Sequence, residues 1–260
     1  MKRYVSRVAV LLLLVVASCG RSPQEQRAQW RGKAEEACLR AGLVRPSAHI
    51  RALPPINPGG LCGADHPFSV DEFARASARL DKAVPLNCQM IAATDYWLEN
   101  VVQPAALASF GQRVREVKTY GTYSCRRILN RSHGALSEHA FVNAIDVAGF
   151  VLEDGRKVMV GKPDQAVPSP WRLPDQKALG VSLDGGGLDL LQIGPGIDGA
   201  PPFDINFGGD AKPFWRSVRD GACNTFSTVL GPGTQDGQHE DHLHLDLARH
   251  GRNGTRRVCR

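Results

Sequence analysis

The sharpest hydrophobic pattern in the chain lies near its end, where His242-Leu243-His244-Leu245-Asp246-Leu247 alternates polar and apolar residues without a break. Period two is the repeat of a strand with one buried face, so Leu243, Leu245 and Leu247 are predicted to pack inward while His242, His244 and Asp246 share the other face. Two more strands are predicted over residues 144–150 and 152–159, because Glu153-Asp154-Gly155-Arg156 between apolar runs has the composition of a hairpin turn. In the first of these, Ala144, Asp146 and Ala148 fall on one face, and Ile145 and Val147 on the other. Residues 114–120 alternate less regularly and predict a strand that ends at Gly121. Between residues 90 and 110 the repeat changes: Ile91, Tyr96, Trp97, Val101 and Val102 recur at near-helical spacing, with Pro104 expected to bend or break the helix. A further helix is expected over residues 214–226.

Between these elements, residues 52–63 are rich in Pro and Gly and are predicted to be a loop. Residues 162–212, with Gly185-Gly186-Gly187 and Pro201-Pro202, read as a long surface excursion. No Lys-Ser/Thr pair follows the glycine triplet, so a phosphate-binding loop is not expected there. The pattern predicts an α+β domain, with a small antiparallel sheet and helices packed behind it.

The N-terminus differs from the rest. Lys2, Arg3 and Arg7 precede an apolar run over residues 8–17, too short to span a bilayer as a mature helix, and the run ends in Val16-Ala17-Ser18-Cys19. This reads as an export signal over residues 1–18. The small residues before Cys19 resemble the lipobox of bacterial lipoproteins, in which the cysteine becomes the lipid-bearing N-terminus; ordinary signal cleavage nearby is the alternative. Residues 19–37 are then the lipidated end and a polar tether, with the folded domain expected over 38–260. The expected location is the periplasm, lipid-anchored, and the outer membrane because Gly20 is not the aspartate associated with inner-membrane retention.

Export changes the meaning of the cysteines. With Cys19 set aside, six of the seven remain, at 38, 62, 88, 125, 223 and 259, and an even count in an oxidising compartment suits three disulfides. Fifteen pairings are open, and the short spacing of a zinc ribbon is absent. The formal charge of +6 includes three basic residues in 1–18, which leaves only +3 on the exported part. That gives no argument for nucleic acid, although basic residues do gather between Arg249 and Arg260.

Three of the eight histidines, His239, His242 and His244, fall within six residues, and a fourth, His139, lies seven residues before Asp146. On one helix such a pair would stand about 10.5 Å apart along the axis, against metal bonds of about 2.0–2.2 Å, so a helix cannot close a site. A loop bearing His139 that folds back on the strand bearing Asp146, beside the strand bearing His244, can. Two imidazoles, one carboxylate and an open position are what catalytic zinc requires, because water must bind there. His49, His66, His133 and His250 are read as ordinary hydrogen-bonded side chains.

Ser137-x-His139 with Asp146, followed by His239-x-x-His242-x-His244, resembles the S-x-H…D and H-x-x-H-x-H motifs of the LAS zinc peptidases, which include D-Ala-D-Ala carboxypeptidases and murein endopeptidases. Tyr123-Ser-Cys125-Arg126, Ser137-Glu-His-Ala, Asn143-Ala-Ile-Asp146, Ala222-Cys223, Thr228-Val-Leu-Gly-Pro232 and His242-Leu-His-Leu-Asp-Leu-Ala248 resemble more closely the bacterial extensin-like C-terminal domain family. The likeness implies a LAS (hedgehog/D-Ala-D-Ala peptidase-like) core, with His139, Asp146 and His244 as zinc ligands and His242 as catalytic base. It implies assistance from Asp241 or His239, and Arg126 binding a substrate carboxylate or developing oxyanion. Two departures stand out: Asp241 occupies the place of a glutamate in the carboxypeptidases, and Val142 that of a frequent glycine. The expected activity is zinc-dependent amide hydrolysis in peptidoglycan stem peptides or cross-links. A non-catalytic, zinc-containing wall-binding lipoprotein is the alternative. Bond specificity and oligomeric state are not given by the sequence.

Overall fold

The computed structural model describes residues 27–161 and 211–260. The expected signal segment, Cys19 with the first part of the tether (residues 19–26), and nearly all of the 162–212 excursion lie outside the described residues. The elements in chain order are α1 (Trp30–Arg40), β1 (Ile50–Ala52), β2 (Phe68–Phe73), β3 (Ala78–Leu86), α2 (Cys88–Trp97), α3 (Gln103–Phe110), β4 (Val114–Gly121), β5 (Ala144–Leu152), β6 (Lys157–Met159), α4 (Ala211–Thr225), β7 (Thr228–Leu230), β8 (Leu243–Asp246) and β9 (Val258–Cys259). Helix α1 begins inside the stretch read as tether: its polar face hid a helix whose buried Glu35 and Cys38 are the inward residues.

The α+β class agrees with the pattern, but the sheet is neither small nor wholly antiparallel. Among the described residues it has nine strands in the order β1-β2-β3-β4-β5-β8-β7-β9, with β6 also on β5. The pairs β3–β4 and β7–β9 are parallel. A parallel neighbour needs a crossover of a dozen or more residues, and the helical segment predicted over 90–110 supplies it between β3 and β4. That segment is α2, a wider π-type turn at Leu98–Val102, and α3, so the break expected from Pro104 falls just before it.

The predicted hairpin joins β5 to β6 in the register Phe150↔Val158. On its other edge β5 steps out of register with β4, since Lys118 pairs with Gly149 but Thr119 with Val147. The extra residue, Ala148, is a bulge. Strict alternation therefore holds only up to Val147; beyond it Phe150 and Leu152 take over the core face that Ile145 and Val147 began. Glycine is required beside the bulge, because a Cβ at position 149 would lie 2.6 Å from the Val158 carbonyl oxygen.

Helices cover one face of the sheet. Phe214, Val218 and Ala222 of α4 are buried one turn apart and pack with Trp97, Phe150, Phe226 and Leu245. The Trp97 indole N–H donates to the Val218 carbonyl at 3.1 Å, so even this core tryptophan leaves no donor unpaired. No helix among the described residues is long and apolar enough to cross a membrane.

Three disulfides resolve the pairing left open by the sequence: Cys38–Cys88, Cys62–Cys125 and Cys223–Cys259. They tie α1 to α2, the loop after β1 to the loop after β4, and α4 to β9.

One buried polar side chain carries much of the sheet-to-helix connection. The amide nitrogen of Gln103 donates to the Ala76 and Val114 carbonyls at 2.9 and 2.8 Å, and its oxygen accepts the Val114 N–H at 2.9 Å. Gln103→Leu keeps the approximate volume but orphans these backbone groups, and is expected to destabilise the fold by about 2–4 kcal/mol in chemical unfolding.

Candidate metal centre

The face of β5 and β8 opposite the helices carries the chemistry. The two strands are antiparallel neighbours with Asp146 paired to His244, which places the Asp146 Oδ1 2.9 Å from His244 Nδ1. Leu243 and Leu245 point into the core, as the alternation requires.

His139 arrives from outside the sheet on a short 3-10 turn, Glu138–Phe141. Ser137 opens this turn by accepting the His139 N–H, and Val142 closes it in the left-handed region at φ 46°. That conformation strains a β-branched residue. Val142 is nonetheless fully buried, and its carbonyl accepts the Asn87 N–H at 3.0 Å. The turn thus folds back so that His139 Nε2 lies 3.1 Å from Asp146 Oδ2 and 3.1 Å from His244 Nδ1.

These three donor groups fit a small divalent ion. A tetrahedral ion with bonds of about 2.0–2.2 Å holds its ligand atoms about 3.3–3.6 Å apart, within a few tenths of an ångström of the separations here. The donor set of two imidazole nitrogens and a carboxylate, without thiolate, is of the kind used where a position is kept for water. Among the described residues no second group of three or more His, Cys, Asp or Glu side chains converges in this way.

Electrostatics point the same way. Burial resists ionisation of Asp146, but hydrogen bonds to His139 and His244 outweigh it and hold the carboxyl far below the usual range. Burial alone would keep His244 neutral; the carboxylates of Asp146 and Asp246 reverse this and push the imidazole up to about 9. The centre favours positive charge.

A second layer orients the first. Asp246 Oδ2 lies 2.9 Å from His244 Nε2, and Oδ1 accepts the Ala248 N–H, so the imidazole presents Nδ1 to the centre. Glu138 is clamped by both Arg31 guanidinium nitrogens at 2.7 Å and by the Asn143 amide at 2.7 Å. The Arg31 guanidinium carbon lies over the Phe141 ring, 3.6 Å from its centroid. Asn143 continues through Asn87, whose side chain caps α2 at the Met90 N–H. No role for Glu138 was legible in the sequence.

The remaining candidates divide. His242 is brought to the centre: its Nε2 is 3.6 Å from Asp146 Oδ1, and its Nδ1 is 3.0 Å from Asp241 Oδ1. Asp241 also accepts the Tyr120 hydroxyl at 2.9 Å, and the Tyr120 ring meets the His242 ring edge-on. Asp241 is thus committed to orienting His242. His239 lies beside both, ring to ring 5.2 Å from His242 and 5.6 Å from His244, with Nδ1 on Asp236 at 2.5 Å. Its burial lowers its pKa despite Asp236. Tyr120 and Asp236 were not singled out from sequence; a carboxylate at i−3 to a site histidine was the available signal for Asp236.

Arg126 makes no ion pair or side-chain hydrogen bond among the described residues, but its backbone is tied to the histidine turn. Its carbonyl accepts the Ser137 N–H at 3.0 Å, and the Ser124 N–H donates to His139 O at 3.2 Å. The Cys62–Cys125 disulfide anchors this loop, and Cys62 packs with Ala140 and Phe141 beneath the turn. Beside it the Gly63 N–H donates to Ala140 O at 2.7 Å; at φ 104°, with a Cβ falling 1.9 Å from the Ile56 carbonyl oxygen, only glycine fits. Of the histidines read as ordinary, His49 pairs with Asp71 at 2.7 Å and His250 with Thr228 at 2.7 Å.

Compared with known proteins, residues 36–172 and 203–260 match a family model described as extensin-like protein C-terminus. No curated protein and no solved structure matches the chain.

Proposed function

The chain belongs to the extensin-like protein C-terminus family, and we propose that within it this protein is a zinc-dependent hydrolase of the cell envelope that cleaves amide bonds in peptidoglycan stem peptides or cross-links. The observation that carries this reading is the convergence of His139, Asp146 and His244 beside a histidine whose far nitrogen is held by a carboxylate. The likeness of these motifs to the LAS zinc peptidases supports it, as does the export signal read at the N-terminus.

His139, Asp146 and His244 would hold the ion. Bound there, zinc supplies Lewis acidity and brings the acidity of water close to neutral pH. His242 is the proton carrier: with Nδ1 fixed on Asp241, Nε2 takes a proton from the attacking water and returns it to the leaving amine nitrogen. Arg126, with its planar fork uncommitted among the described residues, receives the carboxylate of a stem peptide. Asp241 in place of a longer glutamate acts through His242, not on the water itself.

Purified full-length protein loaded with zinc should release smaller fragments from muropeptides, lose that activity to a chelator and regain it when zinc is restored. Absence of bound zinc removes the proposal. One equivalent of zinc with no cleavage leaves the wall-binding lipoprotein instead.

Tyr120→Phe deletes one hydroxyl while leaving every proposed ligand in place. The expected result is a roughly tenfold fall in kcat with zinc content unchanged, since one charge-assisted hydrogen bond orienting the base is lost.

A further inference from the structure

We infer that the arginine-rich C-terminal hairpin is a docking surface for anionic phospholipid headgroups, holding the domain against the bilayer at the end from which its tether emerges. After Asp246 the chain contains no acidic residue, yet it carries Arg249, Arg252, Arg256, Arg257 and Arg260, all exposed. None of the five forms an ion pair among the described residues; Arg257 donates only to the Cys223 carbonyl. Like charges close together in sequence repel one another, a cost that contact with a polyanion relieves.

The segment is also built rather than frayed. A bridge between His250 and Arg256 closes the hairpin, with the Gly254 N–H on the Gly251 carbonyl. His250 is held by Thr228, β9 adds to β7 in parallel, and Cys259 is bonded to Cys223. The arginines are therefore presented from a fixed frame.

Position selects lipid as the partner. The Arg249 guanidinium lies over the Trp30 ring at 5.3 Å, and Trp30, Lys33 and Arg249 line one shallow hollow. Trp30 opens α1, eleven residues after Cys19. Fully extended, that connection spans at most about 40 Å, so a lipid on Cys19 would keep the hairpin close to the membrane. Tryptophan beside basic side chains is the composition of a bilayer interface, and guanidinium forks match phosphate oxygens. The inference rests on the reading of Cys19 as lipid-bearing and is independent of the hydrolase.

The test is hydrogen exchange of the full-length protein on two kinds of vesicle, pure phosphatidylcholine and phosphatidylcholine with about one third phosphatidylglycerol. Exchange over residues 249–260 should slow at least fivefold on the anionic vesicles alone and recover at about 0.5 M salt. In a triple variant, Arg252→Gln with Arg256→Gln and Arg260→Gln, which leaves the Trp30 and Cys223 contacts intact, the slowing should vanish. Equal exchange on both vesicles overturns the inference for the wild type, whatever the variant does. Slowing by isolated peptidoglycan but not by vesicles overturns it too, and makes the hairpin a wall-polymer surface. Because the comparison reads lipid composition and not cleavage, its outcome stands apart from that of the muropeptide assay.

Discussion

If the proposed zinc hydrolase is right, His244→Ala protein is expected to retain less than about a tenth of the wild-type zinc after dialysis, and to lose muropeptide cleavage by about a thousandfold or more. His244 is the hub of the centre. Its two ring nitrogens reach Asp146 and Asp246 at 2.9 Å each, and His139 stands 3.1 Å away. Alanine removes a proposed ligand and leaves the Asp146 and Asp246 carboxylates without the imidazole that stands between them. A loss of zinc through unfolding is separated from a loss of ligation by a graded set. His139→Ala deletes a proposed ligand delivered by the turn. Asp246→Asn keeps every proposed ligand but weakens the bond that aims His244, and is expected to reduce zinc affinity by about 10- to 100-fold. Zinc bound at full stoichiometry by the His244→Ala protein would remove the centre from consideration.

The second large effect concerns stability and involves no proposed ligand. Glu138→Ala is expected to destabilise the protein by about 3–5 kcal/mol, because it leaves the Arg31 guanidinium buried and uncompensated against Phe141. For a domain of this size the thermal midpoint should fall by about 10 °C. Glu138→Gln, which preserves an acceptor for Arg31, should lie between the two. Arg31→Met should be milder than Glu138→Ala, and the double variant should show coupling of about 1–3 kcal/mol, measurable in chemical unfolding. Zinc affinity should fall with stability across this series, since Glu138 and Asn143 hold the turn that carries His139. Unchanged midpoints would mean that the turn is fixed by Ser137 and Cys62 alone.

How far the sequence reaches is clearest at β8 and β5. Strict alternation over residues 242–247 is a local property of the chain, so the separation of His244 from Leu245 could be read directly. The approach of Asp146 to His244 needed only one further assumption, that the two strands are neighbours. The bulge at Ala148 broke the pattern because register is decided by the partner strand, which no window of β5 contains. Strands β1 to β3 escaped for related reasons: β1 has three residues, and β3 mixes Pro85 and exposed charges into a strand that is only partly buried. The disulfides were countable but not pairable, since pairing depends on which loops meet. Roles assigned by side-chain reach followed the same division. Asp241 was visible as a carboxylate near the histidines, but its commitment to His242 and Tyr120 arises from the end of β4 and the approach to β8 flanking β5 on either side.

The staple between Cys62 and Cys125 has a temporal meaning under the proposed export. A newly made chain in a reducing cytoplasm carries two thiols there, and the support beneath Ala140 and Phe141 is incomplete. Oxidation after translocation would close it, so the histidine turn would acquire its final restraint only in the oxidising compartment. On that reading maturation and arrival become one event: the turn that carries His139 is locked only after the chain has left the cytoplasm.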